Sequence, residues 1–219
     1  MSFTEELYKS VKDKWEGMLK VPFIMEMADG SLSREKYRHY MLQDYAYLKE
    51  YIGILGTMER MTDKEEYKEF FAQTKVAIQE EINSVHVPNM RELGIADDEI
   101  KNAKRAKQAV EYNDYVKAAV ARGGVVYGAT AMLHCSWLYA YIGKRMVEDK
   151  KVDQASPYAG WFYVYAGDEY HAANQSWIDM VDAMTAMAGR EEKDELIRIF
   201  SDCLEYERGF FDMAYNMRF

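Results

Sequence analysis

Between Gly123 and Gly143 the chain reads GGVVYGATAMLHCSWLYAYIG, a stretch without a single Asp, Glu, Lys or Arg. An uncharged run of this length has two stable destinations, a bilayer or the centre of a protein core. His134, Ser136 and Thr130 interrupt it, no second such segment exists, and the mean hydropathy of the chain is -0.45, so a central core helix is expected. At 3.6 residues per turn, Tyr127, Gly128, Ala131, Cys135, Leu138, Tyr139 and Ile142 share one face. Cys135 is therefore expected to point into the interior.

Two further helices carry an ionisable group inside an apolar stripe. Ser33 is placed to cap a long helix reaching about Met61, on which Tyr37, Tyr40, Met41, Asp44, Tyr47, Leu48, Tyr51 and Leu55 form the inward face. Asp44 thus stands among tyrosines, where an unpaired carboxylate costs several kcal/mol. On the last helix, about Glu191 to Asn216, the stripe runs Leu196, Phe200, Cys203, Leu204, Glu207, Phe210, Phe211 and Ala214. Glu207 lies inside it, whereas Glu205, about 200° away around the helix, is expected at solvent or a flank.

The remaining signals bound the architecture. With 49% hydrophobic content and no Pro/Ser-rich linker, residues 1–219 read as one all-α domain of about eight helices. Ser2 with Glu5 and Thr62 with Glu65 have the spacing of capping boxes. His86 falls in the last turn of a helix expected to stop before Pro88, where a cation suits the helix dipole. Asp168-x-x-His171 has metal-ligand spacing, but no second acid-x-x-His pair exists to complete a di-metal set. Asp168 is read as a helix cap, and neither metal nor cofactor is expected.

A formal charge of -9 and a pI near 5.1 oppose contact with nucleic acid or anionic membranes. The N-terminal MSFTEELYKSVKDKW has charges where a signal peptide needs an apolar centre, and two cysteines make no disulfide framework, so a cytoplasmic location is expected. Asp44, Cys135 and Glu207 then form the candidate constellation. A thiol nucleophile and two carboxylates among ring-stacking tyrosines are the parts needed to bind and attack an electron-poor heteroaromatic ring.

Four blocks, YMLQDYAYL (Tyr40 to Leu48), MLHCSWLYAYIG (Met132 to Gly143), PYAGWFYVYAGDEY (Pro157 to Tyr170) and YERGFFDMAY (Tyr206 to Tyr215), resemble the TenA-type thiaminase II, or aminopyrimidine aminohydrolase, family. The resemblance implies a haem-oxygenase-like helical bundle, usually a homotetramer, that hydrolyses 4-amino-5-aminomethyl-2-methylpyrimidine to the hydroxymethyl-pyrimidine, or cleaves thiamin, in thiamin salvage. It makes Cys135 the nucleophile and Glu207, which begins an E-x-x-F-x-x-M-A pattern, the acid/base. Asp44 holds the amino and nitrogen edge of the ring, and Tyr47, Tyr112, Tyr139 and Tyr165 line the pocket, with Tyr163 off the matching position. The chain departs from the family at His134, where Pro commonly precedes the cysteine, and at Phe211, where Trp is common. Two other readings compete: a haem-oxygenase-like protein binding a metal or tetrapyrrole, and a non-catalytic pyrimidine-binding regulatory module.

Overall fold

The computed structural model describes residues 2–219, and among these residues every regular element is helical. In order they are α1 (Phe3–Met18), α2 (Pro22–Asp29), α3 (Arg34–Met61), α4 (Glu65–Glu81), a π-helical turn (Ile82–His86), α5 (Val87–Glu92), α6 (Asp97–Asn102), α7 (Lys107–Glu148), α8 (Ala159–Ala166), α9 (Asp168–Thr185) and α10 (Arg190–Asn216). None of them is long and apolar enough to cross a membrane. By internal contacts the chain divides into two compact units, Met1–Leu32 with Ala129–Phe211 and Ser33–Gly128 with Asp212–Phe219.

In the first unit the capping box of α1 forms as the sequence indicates: the Ser2 hydroxyl accepts from the Glu5 N–H and the Glu5 carboxylate from the Ser2 N–H. The helix then buries Leu7, Val11, Trp15 and Met18 completely. Removing each aliphatic side chain of that size from water stabilises the fold by about 1.5 to 3 kcal/mol. Asp182 of α9 accepts from both the backbone N–H and the hydroxyl of Thr4, each at 2.8 Å, and so fixes the start of α1. Trp177 donates its indole N–H to the Ala129 carbonyl at 3.0 Å, tying α9 to α7. Along α7 and α10 the ring contacts fix a parallel register: His134 meets Phe200 (4.8 Å between centroids) and Tyr139 meets Phe211 (5.9 Å). Cys135 on one helix and Glu207 on the other fall inside that bracket.

In the second unit α3 lies along α4, and its Gln43 pins the start of α7. The Gln43 side chain donates to the Lys104 carbonyl (2.9 Å) and accepts from the Ala106 N–H (2.7 Å), satisfying backbone that precedes the helix. The C-terminal residues close on the same helix: His39 lies 3.0 Å from the Arg218 carbonyl, and its ring meets Phe219 edge-on.

Three local expectations change. Thr62 does not cap α4; its hydroxyl accepts from the Lys64 N–H at 3.2 Å, closing the end of α3, and α4 starts at Glu65 without a side-chain cap. The helix does not stop before Pro88 either. Proline has no N–H to give and its ring collides with the carbonyl four residues back in a regular α-turn, so the chain widens into the π turn, where the Val87 N–H reaches the Ile82 carbonyl, and continues as α5. Finally, Gly124 breaks α7 with φ 71° and ψ -151°, as the glycine pair suggests, but the helix after it runs past Gly143 to Glu148.

Gly143 of α7 lies against the backbone of α8. A Cβ there would sit 2.7 Å from the Tyr165 carbonyl carbon and 2.8 Å from the Ala166 nitrogen, both backbone atoms that cannot move aside alone. Gly143→Ala is expected to lower stability by about 1 to 3 kcal/mol, the usual range for overpacking. Denaturant unfolding checks it; an unchanged midpoint would show that α8 is not held against this glycine.

Candidate active site

The seven residues proposed from sequence fall into two sets. In the second unit, Asp44, Tyr47 and Tyr112 are all buried. Tyr47 and Tyr112 stack with ring centroids 5.1 Å apart and planes inclined by 27°, and Tyr51 packs against Tyr47 at 5.9 Å. Such offset stacking favours a flat aromatic neighbour beyond its area alone.

Asp44 has a partner that sequence reasoning missed. His86, itself buried, places Nε2 2.8 Å from Asp44 Oδ2. The end-of-helix explanation for His86 is therefore replaced by a specific ion pair. The π turn carries His86, and the pair joins residues 42 positions apart. Burial by itself would push the His86 pKa down; the hydrogen bond to Asp44 and the negative charges of Asp44 and Glu81 outweigh it and raise the pKa above the ordinary histidine value. Pro88 two residues on was the available signal, since a proline inside a helical pattern forces a distortion whose direction sequence alone does not specify.

In the first unit, Tyr139 and Tyr165 are buried and meet edge-on at 5.0 Å, and Trp161 packs against both, at 5.5 and 4.6 Å. Tyr163 is 45% exposed and outside this cluster. Glu207 is buried at 2% exposure, while the Glu205 side chain is 57% exposed and 3.5 Å from Lys14, the separation that helical geometry predicts. Cys135 differs from expectation in one respect. It is half-buried rather than sealed, although Ala131, Leu138 and Ile142 of its stripe are fully covered. Partial exposure is one of the two conditions for a reactive thiol, thiolate character being the other.

His134, next to Cys135, points into the core and accepts the Trp15 indole N–H at 3.2 Å. It forms no dyad with the cysteine. Asp168 does not cap α9: Gly167 occupies the cap position, and Asp168 is the exposed first residue, a place where negative charge still suits the helix dipole.

Complete burial lowers the His134 pKa to about 3. A depressed histidine pKa contributes stability that is full above the unfolded value near 6.5 and is lost as pH falls toward the folded value, at about 1.4 kcal/mol per pH unit. His134→Gln, which keeps an acceptor for Trp15, is expected to flatten that acid limb in unfolding experiments while turnover stays within about tenfold of wild type, short of the loss caused by removing a general acid or base. An unchanged acid limb would contradict the burial argument.

The profile of the TENA/THI-4/PQQC family matches residues 8–217. Among curated proteins, the aminopyrimidine aminohydrolase of Helicobacter pylori is 30% identical over 99% of this chain and 100% of its own length. That of Halalkalibacterium halodurans is 30% identical over 100% and 97%. Among solved structures, a TenA homologue from P. horikoshii OT3 superposes with a TM-score of 0.89 at 23% identity, covering 99% of each chain. A domain from Shewanella denitrificans OS217 with a haem-oxygenase-like fold reaches 0.77 at 16% identity, covering 98% of this chain and 92% of that one. These likenesses at low identity show the fold.

Proposed function

The chain belongs to the TENA/THI-4/PQQC family, and from that premise we propose that it is a hydrolase of thiamin salvage that converts 4-amino-5-aminomethyl-2-methylpyrimidine to the hydroxymethyl-pyrimidine. The observation that carries this reading is the full-length match, at 30% identity, to two aminopyrimidine aminohydrolases. The chemistry of the buried groups supports it.

In this mechanism Asp44 holds the amino and nitrogen edge of the pyrimidine, accepting from the amino N–H and from the ring nitrogen once that nitrogen is protonated, and Tyr47, Tyr112, Tyr139 and Tyr165 stack on or hydrogen-bond to the ring. Glu207 takes the Cys135 proton, directly or through water, and the thiolate adds to the ring. That addition breaks the aromaticity and places an electron pair in conjugation with the exocyclic CH2–N bond. Glu207 returns the proton to the departing nitrogen, ammonia leaves, and water adds to the exposed methylene. Expulsion of the thiolate restores the aromatic ring. The net change is amine plus water to alcohol plus ammonia, and each proton passes through Glu207. The assembly proposed is a cytoplasmic homotetramer, for which light scattering should return four times the 25.6 kDa chain mass. A one- or two-chain mass would contradict it.

Cys135→Ser is expected to abolish turnover of the aminomethyl-pyrimidine with the helical circular-dichroism spectrum intact, whereas Cys203→Ser, at a fully buried thiol that no family motif reaches, should remain active. Glu207→Gln, nearly isosteric but unable to exchange a proton, should lower kcat by about 10² to 10⁴, and Glu205→Gln should stay near wild type. Steady-state kinetics on the four variants checks both pairs. Equal loss at both cysteines, or loss at Glu205 instead of Glu207, would overturn the assignment.

A further inference from the structure

We propose that His86 is a positioning residue: its imidazolium grips the Oδ2 edge of Asp44, holding the carboxylate turned so that its remaining lone pairs face the amino and nitrogen edge of the substrate ring. This rests on the reading of Asp44 as the ring-holding carboxylate. The geometry behind it is a 2.8 Å contact between side chains that are 4% and 8% exposed, made by a residue on a π-helical turn. π turns interrupt helices at some cost in hydrogen-bond geometry and recur where a side chain has to be aimed.

A buried ion pair is a poor way to stabilise a fold, because desolvating both charges offsets most of their attraction and an apolar pair of similar volume does as well or better. An oriented carboxylate at that place is what the pair secures. A carboxylate has about four lone-pair directions, and a single N–H donor occupies one of them, so the pair leaves acceptor capacity for the amino N–H of an aminopyrimidine and for the ring nitrogen beside it once protonated. His86 thus acts on substrate only through Asp44.

The groups charged toward His86 are Asp44 on α3 and Glu81 at the end of α4, both negative, and both favour the imidazolium. Because the folded pKa of His86 lies above the unfolded one, the stabilisation from its charge is full below the unfolded histidine value and is lost as pH rises through the raised folded value. Substrate binding should weaken over that same alkaline range. The effect belongs in KM, since the contact forms on binding, while kcat, set by Cys135 and Glu207, should move little.

The test is a double-mutant cycle with His86→Gln and Asp44→Asn, run as kcat and KM for the aminomethyl-pyrimidine in a pH series rising from the ordinary histidine value of about 6.5. His86→Asn serves as a second neutral donor should the glutamine fit badly. The expected result is a KM about tenfold higher for His86→Gln with kcat within about twofold, reflecting a charge-assisted bond replaced by a neutral one. The alkaline rise in KM should disappear, and the double variant should bind no worse than Asp44→Asn alone. Three results overturn the proposal. In the first, Asp44→Asn raises KM while both His86 variants keep the wild-type KM and pH limb, even with a lowered Tm; His86 is then structural and the reading of Asp44 survives. In the second, the two KM effects multiply, so His86 does not act through Asp44. In the third, Asp44→Asn leaves KM unchanged, so the reading of Asp44 fails and the role of His86 with it.

Discussion

The hydrogen-bonded ion pair of Asp44 and His86 is the constraint around which the second unit makes sense. An aspartate on an aromatic helix face is untenable alone, and breaking one side of such a pair costs about 3 to 5 kcal/mol, so the partner has to be delivered to within hydrogen-bond distance. The chain delivers it by running α4 beside α3 and by widening the helix ahead of Pro88 into a π turn that presents His86. The Gln43 clamp on residues 104 and 106, one position before Asp44, sets Tyr112 against Tyr47 on the same face. Carboxylate and ring stack are therefore held by one stretch of α3.

The first unit rests on a different device, close packing around an uncharged helix. Gly143 admits the backbone of α8, which brings Tyr165 edge-on to Tyr139, and the parallel ring contacts to α10 bracket Cys135 and Glu207. His134 illustrates how strongly the interior rules there: its neighbour is a candidate nucleophile, yet its ring is spent on Trp15 and burial strips its charge. Proximity in sequence carries no chemistry when two successive side chains leave a helix about 100° apart.

Helical periodicity made a good part of this legible before any coordinates. It separated Glu207 from Glu205 and placed Asp44 on the aromatic face, because a residue's side of a regular helix depends only on its own register. It could not reveal His86 as the partner of Asp44, which depends on how two distant segments meet and on a π turn whose widened spacing breaks the 3.6-residue count. The same period overstated the burial of Cys135, since a stripe marks direction and not how deeply each position is covered. At Thr62 and Asp168 the capping signals were chemically sound but satisfied differently, by an adjacent backbone turn in one case and by the helix dipole in the other. Short polar motifs have several local solutions of similar energy, and tertiary context selects among them.

In the proposed function a carboxylate and stacked tyrosines read the pyrimidine, and none of the proposed site residues serves a thiazole. The most direct measurement is the specificity constant, kcat/KM, of the purified protein for the aminomethyl-pyrimidine and for thiamin side by side, with the hydroxymethyl-pyrimidine product quantified in both. The higher value is expected for the aminomethyl-pyrimidine. A higher value for intact thiamin, or no hydroxymethyl-pyrimidine from either, would contradict it.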